Sequence, residues 1–124
     1  MQLAKAAIFT GISILMKRKN IDNKSIDSVS IAGAFGNNID YKNAKTIGLI
    51  PDVPIRKIQF IGNASVTGAK MALLSQEIRQ EAIKLSEKVR YLELTVEKGF
   101  SREFMEALYI PHKDTSRFHS VKQI

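Results

Sequence analysis

Apolar residues recur at helical spacing through the first segment, where Ala4, Ile8, Ile12, Leu15 and Met16 fall within residues 3–19. The spacing predicts a long amphipathic helix with this stripe buried, and Lys17, Arg18 and Lys19 stand where positive charge complements a helix C-terminus. Alternation replaces that period at Ser28-Val29-Ser30-Ile31-Ala32-Gly33, which reads as a short strand delivered to the turn Gly33-Ala34-Phe35-Gly36-Asn37-Asn38. Asp40 is placed to cap a helix over residues 41–47, Gly48 to end it and Pro51 to prevent its resumption. Residues 55–61 read as a second strand running into the turn Gly62-Asn63-Ala64-Ser65. A second long helix then carries Met71, Leu74, Ile78, Ala82, Leu85 and Val89 at a 3.6-residue period, with a break at Ser75, a residue able to cap a new helix. Residues 90–96 alternate as an edge strand would, and residues 100–108 predict a short helix with Phe104 and Leu108 on one face.

The order helix, strand, helix, strand, helix predicts an α/β fold of parallel strands joined by right-handed crossover helices, followed by a C-terminal strand and helix. Residues 1–111 form the expected domain and residues 112–124 a polar tail. A length of 124 residues, with 44% apolar and 25% charged positions, suits a globular domain with a real core. Cysteine is absent, which removes disulfides, thiolate nucleophiles and iron–sulfur ligation by cysteine from this chain and is compatible with a reducing cytoplasm, the expected compartment. No apolar run is long enough to span a bilayer, so no membrane partner is expected. The opening stretch is not read as a secretory signal either, because its basic cluster follows the apolar run instead of preceding it.

The net charge of +7 is uneven: residues 1–74 hold ten Lys and Arg against four Asp, while residues 75–111 hold six against seven. Clustered positive charge is the footprint of nucleic-acid binding, but these residues are scattered and lack an aromatic RNA-binding motif, so no nucleic-acid partner is expected. His112 and His119, near a polar terminus and without a neighbouring ligand triad, are expected to be exposed, and no metal site is assigned. Glu77, Glu81 and Glu87 interleave with Arg79, Lys84 and Lys88 as the i,i+3 and i,i+4 pairs of a solvated helix face. Met71 and Met105 are read as core filler.

The two glycine turns carry the most chemistry. In open α/β sheets ligands bind beyond the carboxyl ends of strands, where glycine admits close approach and helix N-termini offer N–H donors to anions. Neither turn fits a P-loop or a dinucleotide fingerprint, and turn geometry alone also accounts for glycine followed by asparagine.

Longer strings add to that spacing. Ser30-Ile31-Ala32-Gly33-Ala34-Phe35-Gly36-Asn37, Ile47-Gly48-Leu49-Ile50-Pro51 and the run from Ile61-Gly62-Asn63-Ala64-Ser65 through Met71-Ala72-Leu73-Leu74 resemble the C-terminal region of the reductive activators of corrinoid proteins. Gln2-Leu3-Ala4-Lys5-Ala6-Ala7-Ile8 and Glu106-Ala107-Leu108-Tyr109-Ile110-Pro111-His112 match it too, so the resemblance covers almost the whole chain. It implies part of an actin-like (ribonuclease H-like) ATPase module. The parent would use ATP with magnesium, and an iron–sulfur cluster outside this chain, to return cob(II)alamin of a corrinoid methyl-transfer protein to cob(I). On that mapping Gly33, Ala34, Phe35, Gly36 and Asn37 border the nucleotide, with Gly62 and Asn63 nearby. The corrinoid protein is then a partner through the parent. No catalytic residue is assigned, and this chain alone is not expected to hydrolyse ATP, because the resemblance places the phosphate-gripping hairpins upstream of residue 1. The alternative is a non-catalytic dimerisation or interaction domain of the same fold that binds no nucleotide, a homodimer being one way to cover an open sheet edge.

Overall fold

In the computed structural model, which describes residues 1–33 and 39–121, the first helix, α1 (Gln2–Lys19), ends at Asn20 in the left-handed conformation. Three basic residues occupy its last turn, as the charge pattern predicts. Its buried side is not the expected one. Lys5, Ala6, Phe9, Thr10, Ser13 and Ile14 are buried, whereas Ala4, Ile8 and Leu15 from the apolar stripe are exposed. The inward face is a mixed one, chosen by what packs on it: α5 (Phe100–Ala107) lies along α1, and Ala6, Phe9, Ala107 and Phe118 form a core flanked by Phe104 and Leu108. The rings of Phe9 and Phe118 stand 5.4 Å apart, close enough for the tilted contact aromatic pairs favour.

The chain divides into two compact units. One takes the described residues of Met1–Val29, Ile39–Gln59 and Glu93–Ile124, the other those of Ser30–Asn38 and Phe60–Leu92. In the first unit, α2 (Tyr41–Thr46) begins at Asp40, whose carboxylate accepts the Asn43 N–H at 2.9 Å, the predicted cap. Gly48 ends the segment at φ +75°, and Ala44, Ile50, Val53 and Ile58 are buried. The second predicted strand is shorter than its pattern. Residues Ile55–Lys57 make a 3₁₀ turn before β2 (Ile58–Phe60), with the Lys57 ammonium donating to the carbonyls of Lys24 and Ile26. Residues 90–96 form no strand. Leu94–Val96 is a 3₁₀ turn, and the Leu94 side chain reaches α1 beside Gly11, where a Cβ would sit 3.4 Å from it. An alternating sequence becomes a strand only where another strand can take its ladder, and among the described residues the single sheet is β1–β2.

Residues after Pro111 contribute to this unit. His112 and Phe118 are buried, and the Asp52 carboxylate accepts the backbone N–H of Ser120 at 2.8 Å together with its hydroxyl.

The second unit takes the ends of β1 (Val29–Ile31) and β2, where Ile61 N–H donates to Ile31 O at 3.0 Å. The long helix predicted after Gly62 is two helices, α3 (Ala64–Leu74) and α4 (Gln76–Lys88), divided at Ser75 as its type suggests. The Ser75 hydroxyl accepts the Ile78 N–H at 3.2 Å. No residue of either helix is buried, and Met71 is exposed, as is Met105 on α5, so neither methionine fills a core. The expected ion pairs along α4 are also missing among the described residues. Arg79 instead turns its Nε to the Ala72 carbonyl at 3.0 Å. No described helix is long and apolar enough to cross a membrane.

Candidate functional site

The two glycine turns meet at the strand ends. Gly33 N–H donates to Gly62 O at 2.8 Å, and the same carbonyl takes the Ala64 N–H at 3.0 Å. Both glycines hold positive φ, +88° at Gly33 and +67° at Gly62, a region L side chains enter only with strain. A Cβ built on Gly33 or Gly62 meets no atom of the described residues within 4 Å. Glycine is therefore required here by backbone conformation and not by crowding from the described residues. Asn63 opens α3, its side-chain oxygen accepting Val66 N–H at 3.2 Å and its carbonyl accepting Thr67 N–H at 3.0 Å. The first turn of α3 holds no acidic residue, so nothing there opposes an anion drawn to the helix N-terminus. Gly33, Gly62 and Asn63 thus share one edge of this unit, while Ala34, Phe35, Gly36 and Asn37 lie outside the described residues.

A polar cluster in the first unit escapes sequence reasoning. Glu103 on α5 is 4% exposed and receives Lys17 Nζ at 2.6 Å on one oxygen and Arg117 Nη1 at 2.5 Å on the other. Burial raises its pKa, but the hydrogen bonds from Arg117, Lys17 and Ser13 outweigh that and hold it at about 2. Arg117 also reaches Ser13 Oγ at 2.7 Å and lies over the Phe9 ring at 4.9 Å. His112, expected at the surface, is 2% exposed. Its Nδ1 accepts Asp114 N–H at 3.0 Å, and Nε2 lies 3.2 Å from Arg117 Nη1. Burial, reinforced by Arg117, pushes its pKa below the ordinary value. Lys5, buried in α1, directs its ammonium at the carbonyls of Ala107, Tyr109 and Pro111 at 2.5, 2.7 and 2.6 Å, closing the C-terminus of α5; burial lowers its pKa to about 8.

The donor atoms of Glu103, Glu106 and His112 come within 4.8 Å of one another, yet the Arg117 guanidinium already occupies the position a cation would take. The chemistry of this cluster is structural: it neutralises buried charge and joins α1, α5 and the terminal segment. The partners that α1 contributes, Lys5, Ser13 and Lys17, lie 86 to 106 residues from the groups they meet, too far for any local spacing to announce them.

Residues 1–122 match the family described as the C-terminal domain of RACo, the ASKHA domain. The chain is 38% identical over 104 residues to the corrinoid activation enzyme RamQ of Eubacterium limosum, covering 84% of this chain and 18% of that protein. It also superposes on the solved structure of a reductive activator for corrinoid,iron-sulfur protein with a TM-score of 0.89 and 43% identity, over 97% of this chain and 19% of that one. The chain therefore spans about a fifth of the length of these relatives.

Proposed function

The chain belongs to the RACo C-terminal family and has its actin-like ASKHA fold, and on that footing we propose that it is the nucleotide-binding C-terminal segment of an ATP-dependent reductive activator of a corrinoid methyl-transfer protein. Residues 1–122, the span that matches the family, supply part of the ATPase domain. The parent returns cob(II)alamin to the cob(I) state, and the corrinoid protein is its partner. The observation that carries this reading is the pair of joined strand ends: Gly33 and Gly62 bonded to each other, uncrowded by the described residues, with the α3 N-terminus directly after Gly62 and Asn63.

These residues fit a nucleotide better than they fit a metal. Gly33, Gly62 and Asn63, with Ala34, Phe35, Gly36 and Asn37, would border the base and sugar side, where an absent Cβ allows backbone approach. No carboxylate stands in either turn, so magnesium falls to other parts of the parent. The chain's lack of cysteine likewise leaves an iron–sulfur cluster to those parts. When bound, ATP supplies the free energy that drives the conformational work of activation.

Calorimetric titration of the chain with ATP and with ADP, beside a Gly62→Val variant shown to be folded by circular dichroism, tests the proposal. Saturable heat in the parent sequence and its loss in the variant are expected. Equal heats for both proteins, or no heat with either nucleotide, would overturn it.

A further inference from the structure

We propose that the basin between the end of α1 and the terminal segment binds the phosphate group of a small anion, either inorganic phosphate or a phosphate monoester, at a site separate from the strand-end turns. The basin is open, encloses about 330 Å³, and is lined by Lys17, Asn23, Lys24 and Arg117 with Met16 and Ile21 as an apolar wall. All of these residues belong to the first unit, whereas Gly33 and Gly62 belong to the second, so the inference does not depend on nucleotide binding.

Arg117 sets this basin apart from a patch of surface lysines. Its Nη1 faces Glu103 at 2.5 Å and His112 Nε2 at 3.2 Å, and its Nη2 donates to Ser13 Oγ at 2.7 Å. Glu103, His112 and Ser13 are all buried, and the guanidinium also lies over the Phe9 ring, so the side chain is already fixed and a ligand need not order it. Yet the guanidinium is not spent. Nε–H and the second hydrogen of Nη2 have no partner among the described residues, and the side chain remains 27% exposed. A planar cation held in place with donors to spare matches the oxygens of phosphate. Two neighbours add to it. The Lys24 ammonium and the half-buried Asn23 amide have no hydrogen-bond partner among the described residues, and Lys17 gives only one printed bond, to Glu103.

The groups that would repel an anion are occupied. Among the described residues Asp22 is the one acid lining the basin, and its Oδ1 accepts the N–H and hydroxyl of Ser25 at 2.8 and 2.6 Å. Even with Glu103 counted beside it, Lys17, Lys24 and Arg117 outnumber the acids by one. The C-terminal carbonyls of Met16 and Lys17 on α1 are taken by the N–H groups of Ile21 and Asn20 at 2.9 and 3.1 Å. The apolar wall leaves room for a small organic body attached to the phosphate.

NMR titration of the 124-residue chain with sodium phosphate, and separately with glycerol 3-phosphate, at constant ionic strength provides the test. Saturable shifts are expected at the Arg117 Nε–H and the Asn23 side-chain amide. Tighter binding of the inorganic ion would name free phosphate as the natural occupant, and tighter binding of the ester a phosphorylated metabolite. Lys24→Glu, with its other resonances unmoved, should weaken binding about tenfold or more, while Lys84→Glu on α4 leaves it unchanged. Gly62→Val should also leave it unchanged. No saturation with either anion, equal weakening by Lys24→Glu and Lys84→Glu, or an unaffected Lys24→Glu would overturn the proposal. So would loss of binding in Gly62→Val, which would assign the phosphate to the glycine turns instead.

Discussion

Gly48 lies so close to Pro111 that a Cβ at position 48 would stand 2.1 Å from the Pro111 carbonyl oxygen. That oxygen also accepts the Lys5 ammonium at 2.6 Å, so one carbonyl ties the end of α2, the start of α1 and the segment after α5. Gly48→Ala forces a backbone shift and strains a φ of +75°. The expected loss is roughly 2 to 4 kcal/mol of unfolding free energy, read from urea denaturation. Gly62→Ala, strained but unobstructed, should lose only about 1 kcal/mol.

Thr10 carries the opposite sign. It is fully buried, and its hydroxyl is the buried side-chain polar atom that lacks a hydrogen-bond partner among the described residues. Thr10→Val keeps the shape and removes the unpaired group, so it should leave stability unchanged or raise it by about 1 kcal/mol, seen as a higher urea midpoint at constant slope.

The orientation of α1 separates two neighbouring apolar residues. Phe9 is 3% exposed and packs on Phe118 and His112, whereas Ile8 is 45% exposed. Phe9→Ala should cost about 3 to 5 kcal/mol, while Ile8→Lys should change stability by no more than about 0.5 kcal/mol in the isolated chain. Equal losses would mean that α1 buries its apolar stripe after all.

Acid should weaken the first unit in two stages. The folded pKa of His112 lies below its ordinary 6.5, so the unfolded chain takes up the proton first and stability falls as pH drops below 6.5. Glu103 follows, since its carboxylate is held at about 2 against an ordinary 4.5; its contribution is complete above pH 4.5 and fades between there and about pH 2. Denaturation midpoints measured from pH 7 to pH 3 should decline throughout. His112→Gln should flatten the upper part of the decline and Glu103→Gln the lower part.

Local signals were legible where one residue decides the backbone: Asp40 and Ser75 cap helices, Gly48 ends a segment, and Gly33 and Gly62 close two strands at a shared edge. The inward face of α1 was not, because periodicity finds the apolar stripe while burial follows the partner. Here α5 and Phe118 take in Lys5, Thr10 and Ser13 and leave Ile8 outside. The alternation over residues 90–96 misled for a related reason, since side-chain pattern does not create a neighbouring strand. Glu103 could not be paired with Lys17 by spacing, since 86 residues separate them, and His112 meets Arg117 five residues on, a separation that no helical or strand period marks. Of the candidate site, the Gly33–Gly62 junction was legible; positions 34–37 lie outside the described residues.

The bonds from Lys5 to Ala107, Tyr109 and Pro111 span 102 to 106 residues. During synthesis α1 leaves the ribosome about a hundred residues before these partners exist, whereas α3 and α4 meet across a single residue. The helix pair at Ser75 can assemble at once, but the first unit must wait for its last residues, with α1 apolar on its outer face and unpaired on its inner one. Vectorial folding therefore gives chaperones a defined client interval, from the emergence of α1 to that of Phe118.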